Sequence, residues 1–287
     1  MNKLLPRYLI ILTLSQLVTL GVAAAYPYLL NLSSMSPNLI SLTRSLLDYI
    51  PAVFLAIALA CDMARQRHID AFGLLVTLFG GFAGLLMHFS RLRMVWRFGW
   101  LVIGYTVAQK VFILLAPFWL NYLNILYYAA TLLLVLYSLV NLRPTLSGPV
   151  KWLIPILVFL SIAQPLVAML TVFVLSLPHS ETSYKPLFSY LVPIAALLLL
   201  KYIAIRLPIS TIIMGIPANY LISTTLSLLL CLVVIILLLR DAPRAGLPRF
   251  WLCASVIYSA PLSAMACIMC LQDKGLPKDD SKSKVVS

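Results

Sequence analysis

The stretch "FGLLVTLFGGFAGLLMHF", residues 72–89, decides how this chain is threaded. It is apolar throughout and close to the ~20 residues that cross a hydrocarbon core. "RQRH" precedes it and "RLRMVWR" follows it. As a span, the segment puts these basic loops on opposite faces of a membrane; as a re-entrant hairpin, it returns both to one face. It also holds Gly80 and Gly84, one helical turn apart, a spacing that lets a neighbouring backbone approach closely.

The rest of the chain has the same character. Of 287 residues, 62% are hydrophobic and only 10% charged, and the mean hydropathy is +1.03, values that exclude a soluble domain of this length. Apolar segments recur near 8–30, 45–61, 72–89, 98–118, 122–141, 152–176, 187–205, 219–239 and 250–271. An isolated span must satisfy its own backbone hydrogen bonds, and these segments lack the alternation of a barrel. The expected fold is an all-α polytopic transmembrane helix bundle with about nine spans, or eight if 72–89 is re-entrant. The whole chain, 1–287, forms a single integral membrane domain, and 272–287 a mobile polar tail. The first segment exceeds the ~7–15 residues of a signal-peptide core and is read as a retained span.

Net charge is +13, with 21 basic and 8 acidic residues. In short loops between apolar segments this excess signals topology and phospholipid contact, and no basic groove with interleaved aromatics points to nucleic acid. A nine-span threading divides the charge badly. Lys3, Arg7, Arg65, Arg67, Lys185, Arg240, Arg244 and Arg249 fall on one side, and Arg91, Arg93, Arg97, Arg143 and Lys151 on the other, so orientation is open.

The chain also resembles itself. Prolines at 27, 117 and 208 recur at intervals near ninety residues, and "NYLNILYYAATLLLVLYSLVNLRPTLSGPVKW" from 121 aligns with "NYLISTTLSLLLCLVVIILLLRDAPRAGLPRF" from 219. "PNLISLTRSLLDYIPAVFLAIALACDMARQRH" is the counterpart in the first third. The implied units are 1–94, 95–182 and 183–287, and three spans per unit would invert the middle one.

Lysines inside apolar runs are the chemical candidates, because an ammonium facing lipid is costly. Lys110 precedes Pro117 by seven residues and Lys201 precedes Pro208 by the same interval, so each pair shares a helix face. The expected binding site unites Lys110, Lys201, Asp48, Gln109 and Gln164, with Pro117 and Pro208 as hinges. Arg65, Arg67 and Arg244 are expected at phospholipid headgroups. Asp62 and Asp241, in "DMAR" and "DAPR", read as charged helix ends beside an arginine. The C-x-x-C of Cys267 and Cys270 has no second ligand pair, and no phosphate loop, metal motif or nucleophile elbow is present. No cofactor, metal or catalytic residue is implied.

The function expected from these residues is permease-like: moving or binding a small anionic solute or a lipid headgroup in a bacterial inner membrane or a plasma membrane. A non-catalytic scaffold or assembly subunit with a membrane protein partner is the alternative, and a lipid-modifying enzyme a weaker one.

Overall fold

The computed structural model describes residues 4–29, 43, 46, 47, 49–67, 69–90, 95–142, 151–176, 184–206, 212, 213 and 216–275. Asp48 and Pro208 lie outside this set, as do His68, Arg91, Arg93, Arg143 and the polar tail beyond 275. The helices are α1 (Leu5–Leu29), α2 (Ile50–Arg65), α3 (Ala71–Ser90), α4 (Val95–Leu115), α5 (Leu120–Leu142), α6 (Leu153–Ala163), α7 (Pro165–Ser176), α8 (Tyr184–Arg206), α9 (Ala218–Ala245), α10 (Arg249–Ala254) and α11 (Val256–Gly275). A two-residue antiparallel pairing, Ile212–Ile213 with Ile216–Pro217, lies between α8 and α9. Among the described residues the regular structure is otherwise helical, as the long apolar runs require.

Five helical stretches are long and apolar enough to cross a membrane: Leu5–Ala25, Ala71–Phe89, Pro117–Asn141, Pro186–Arg206 and Ala218–Ala245. Length and composition do not make all five straight. Helix α3 breaks at Gly81, whose φ of 57° and ψ of −134° lie outside the helical region. The two arms then fold together. His88 Nδ1 meets the Asp70 carboxylate at 3.1 Å, and a Cβ on Gly84 would strike the backbone carbonyl of Val76. Only the missing side chain of Gly84 allows that approach. Segment 72–89 therefore doubles back on itself at Gly81.

A second apolar segment reverses at Gln164, with the same backbone as the turn that joins α4 to α5 at Ala116. Gln164, between α6 and α7, has φ −148° and ψ 73°. Ala116, between α4 and the short 3-10 turn Pro117–Trp119, has φ −154° and ψ 65°. Both precede proline, which disfavours helical backbone at the residue before it. Both turns carry matching bonds, with Ala116 N–H donating to Phe112 O and Trp119 N–H to Ala116 O, then Gln164 N–H to Leu160 O and Val167 N–H to Gln164 O. The Ala116 turn joins antiparallel helices, since Tyr105 stacks on Tyr127 and Arg97 lies over the Tyr137 ring. The Gln164 turn accordingly makes α6 and α7 a second hairpin. Phe173, near the end of α7, reaches Phe98, near the start of α4, with ring centroids 5.3 Å apart.

The third reversal lies at Ser259, with φ −165° and ψ 111°. Ser255 and Ser263 hydroxyls meet at 2.8 Å; eight residues of straight helix would hold them ~12 Å apart. Ser259 caps the returning arm, accepting from Leu262 N–H through its hydroxyl, and Pro261 sits in the first turn of that arm, where its missing N–H costs nothing.

The three returning arms form the centre. Phe82, Leu85, Leu86 and Met87, then Val167 through Val174, then Ala264 through Ile268 have no exposure. Helix α7 packs on both α3 and α11, and α3 packs on α11. Around this core, α3 also contacts α4, α6 contacts α8, and α10 and α11 contact α1. The ring therefore closes, with each hairpin touching the helix that follows it and the last touching the first. Large apolar residues such as Ile57, Leu133, Ile203 and Leu228 face outward, the pattern of a lipid-facing surface.

Candidate functional site

Every hairpin arm but the last, 260–275, is about half the length of a span. Residues 71–80, at ~1.5 Å per residue, reach ~15 Å, about half a ~30 Å hydrocarbon core. The tips thus end inside the molecule, and they end together. Gly80 and Gly81 of the first tip, Leu166 beside the second and Tyr258 beside the third line one cavity of about 200 Å³. Its other walls include Tyr49, Ala52, Tyr105, Thr106 and Tyr127. Non-helical backbone within an apolar bundle is tolerated where it is buried in protein or lines a cavity, and these tips line one.

The walls are tied to one another by side chains. Thr106 Oγ1 lies 3.5 Å from the Phe79 carbonyl, next to the Gly80–Gly81 turn. Tyr105 donates its hydroxyl to Asn124 Oδ1 at 2.9 Å and accepts from Gln109 Nε2 at 3.3 Å. Its ring stacks on Tyr127 with centroids 3.8 Å apart and planes 12° from parallel. Gly81 admits the Tyr258 hydroxyl, which stands 2.6 Å from where a Cβ would be.

One turn beyond Thr106, Lys110 is half-buried and its Nζ lies 4.8 Å from the centroid of the Tyr49 ring. The aromatic face favours the ammonium electrostatically, and Tyr49 itself lines the cavity. Gln109 is joined to the cavity through Tyr105. The structure thus brings Lys110 and Gln109 to one place through two tyrosines that the sequence had not singled out.

Of the remaining expected site residues, Lys201, Gln164 and Pro117 lie outside the cavity wall. Lys201 is half-buried on α8 and has Cys231 of α9 as an electrostatic neighbour; it is not in the cavity wall. Gln164 occupies the second hairpin turn, and its neighbour Leu166, not Gln164, contributes to the lining. Pro117 is exposed in the turn after α4 and does not kink a helix that continues past Lys110. Asp48, next to Tyr49 in sequence, and Pro208 are outside the described residues.

The aspartates at the helix ends turn inward. Asp62 is buried and accepts from Arg7 Nη1 at 2.6 Å and from the Tyr8 hydroxyl at 2.8 Å, which fastens α1 to α2. Its partner comes from another helix, not from the arginine three residues on. Asp241 is buried too; both its oxygens accept from Arg240, at 3.0 and 2.7 Å, and Arg244 is 3.6 Å away. Arg65, Arg67 and Arg244 are exposed.

Comparison with protein-family models, curated proteins and solved structures finds no match to the chain. What the site does has to be read from its own geometry.

Proposed function

We propose that this is a permease-like multi-pass membrane protein that binds or moves a small anionic solute or lipid headgroup at the cavity where the three hairpin tips meet. The observation that carries the proposal is convergence: three interrupted helices from distant parts of the chain end at one tyrosine-lined cavity, and Lys110 stands against one of its wall tyrosines, Tyr49. Interrupted helices meeting at mid-bilayer are a recurring way to build transport sites. A scaffold subunit is the competing reading, and the dry packing of α7 fits it, but bundle packing alone gives no reason for three tips to share a tyrosine-lined space.

In this reading the chain is a threefold repetition of two crossing helices followed by a hairpin, with units 1–94, 95–182 and 183–287. The aligned "NYL" motifs support it, since Asn121 and Asn219 both stand at the start of the second helix of a unit. Two crossings and a returning hairpin bring each unit back to the same face, so the units run parallel and the middle one is not inverted. Arg7, Arg65, Arg67, Arg97, Lys151, Arg240, Arg244 and Arg249 then share one face, whereas Lys110, Lys201 and Arg206 belong to the other half. That distribution removes the charge conflict of a nine-span threading and makes the basic face cytoplasmic. The solid packing of the inner arms closes the cavity toward that face.

The test is uptake of inorganic phosphate, chloride and small carboxylates into proteoliposomes. Lys110→Gln is expected to lower uptake or binding of the accepted anion at least tenfold, and Lys110→Arg to retain much of it. Wild-type behaviour of both Lys110→Gln and Tyr49→Leu would overturn the proposal.

A further inference from the structure

A second hollow lies against the cavity. Trp100, Leu101 and Gly104 of α4 and Leu123, Leu126 and Ala130 of α5 line a groove of about 260 Å³ on the outer surface, and Tyr105 and Tyr127 belong to its wall and to the wall of the cavity. The stacked tyrosine pair is thus the partition between the two. Gly104 keeps the groove open, because nothing lies within 4 Å of the place its Cβ would occupy. Trp100 is 47% and Leu126 67% exposed, so the groove faces the surroundings of the bundle.

The arrangement has a direction. Along α4 the apolar groove comes first, at Trp100 to Gly104, then the tyrosine pair, then the cation at Lys110. From Trp100 to Lys110 is ~15 Å of helix, and Lys110 is the end closer to the turn at Ala116. An amphiphile lying along α4 would put a negative head toward that turn and an apolar tail toward the middle of the bilayer. A lipid in the leaflet opposite the basic face has this orientation. Size argues the same way: each hollow alone is smaller than the ~300 Å³ at which ligand sites begin, and joined they exceed it.

Resting on the permease-like reading of the cavity, we infer that the occupant is an anionic lipid of that leaflet. Its headgroup is held at the Lys110–Tyr49 end and one hydrocarbon chain lies in the groove between α4 and α5. The Tyr105–Tyr127 stack is the lateral gate between bilayer and cavity. The charge of Lys110 selects the head, and the groove adds what a free anion could not use.

Photolabelling of the full-length chain in phosphatidylcholine nanodiscs tests this. The probes are a lysophosphatidate and a lysophosphatidylcholine, each carrying a diazirine midway along its chain, with inorganic phosphate as the chainless anion. The lysophosphatidate is expected to label peptides within 95–130 at least fivefold more than the lysophosphatidylcholine. Gly104→Leu, which projects a side chain into the groove from a position where a Cβ has open space, should abolish that labelling and leave Lys110-dependent phosphate binding unchanged. If phosphate binds through Lys110 while labelling ignores Gly104→Leu or the head charge, the lipid inference fails and the anion reading stands. If neither probe depends on Lys110, both fail.

Discussion

Asp70 and His88 meet at 3.1 Å although they stand at opposite ends of one apolar segment of 20 residues. A straight helix of that length would part its ends by ~30 Å. The contact brings the two ends of the segment together, and in the proposed threading it reverses every later element relative to one in which 72–89 crosses.

Thiol labelling can read that reversal directly. In a background with the native cysteines replaced, cysteines at Ile69, Trp152 and Phe250, all strongly exposed, are expected to react with a membrane-impermeant maleimide from one side. Cysteines at Leu115 and Phe118, also exposed, are expected to react from the other. Labelling of Ile69 and Trp152 from opposite sides would restore a crossing segment and remove the hairpin.

The glycines of the chain should differ sharply in tolerance. Gly84→Ala places a methyl group against the Val76 carbonyl and Thr77 Cα, backbone atoms that cannot move aside. Overpacking of this kind typically costs ~1–3 kcal/mol. Gly81→Ala combines a positive φ with collision at the Tyr258 hydroxyl. Gly104→Ala meets nothing and replaces a helix-interior glycine, for a gain of about 0.5–1 kcal/mol. Unfolding in mixed micelles should therefore rank Gly104→Ala above wild type and both other variants well below it.

The nine apolar segments were legible because hydropathy registers composition, and each corresponds to a helix or hairpin of the fold. Their direction was not, because a hairpin of two half-length arms is as long and as apolar as one span. Its marks are local: Gly80–Gly81, then Gln164 before Pro165, then Ser259 before Ala260 and Pro261. Each is a glycine or polar residue in mid-segment, and two of the three have proline close behind. The uneven charge count of a nine-span threading fits the proposed hairpins in the same way. Lys110 was legible as an isolated cation, but Tyr49, Tyr105, Tyr127 and Tyr258 come from three separate regions of the chain, and only folding brings their rings to one space.

The Asp62 cluster should show an asymmetric response. Asp62 is buried, whereas the Arg7 side chain is 45% exposed. Removing the arginine leaves a buried carboxylate with Tyr8 as its remaining hydrogen-bond donor, and removing the aspartate leaves a guanidinium that water can reach. Loss of one partner from a buried pair costs ~3–5 kcal/mol, reduced here by the exposure of Arg7. Arg7→Ala is therefore expected to destabilise by about 2–3 kcal/mol and Asp62→Asn by about 1–2. Equal effects in mixed-micelle unfolding would mean that Asp62 is better hydrated than its burial implies.

The tyrosine partition makes separable contributions. Tyr105→Phe keeps the ring on Tyr127 but removes the hydroxyl that donates to Asn124 and accepts from Gln109, a loss of about 0.5–1.5 kcal/mol for a neutral hydrogen bond. Tyr105→Leu also removes the stack, about 0.5–1.5 kcal/mol beyond the buried area. A double-mutant cycle of Tyr105→Phe with Asn124→Ala should show coupling near 1 kcal/mol, and a cycle of Tyr105→Leu with Tyr127→Leu a comparable term. If the hydroxyl couples to Asn124 but the rings do not couple to each other, Tyr105 is fixed by its polar contacts and the stack adds no restraint. The partition would then open without breaking anything, and uptake in the Tyr105→Leu variant would match wild type.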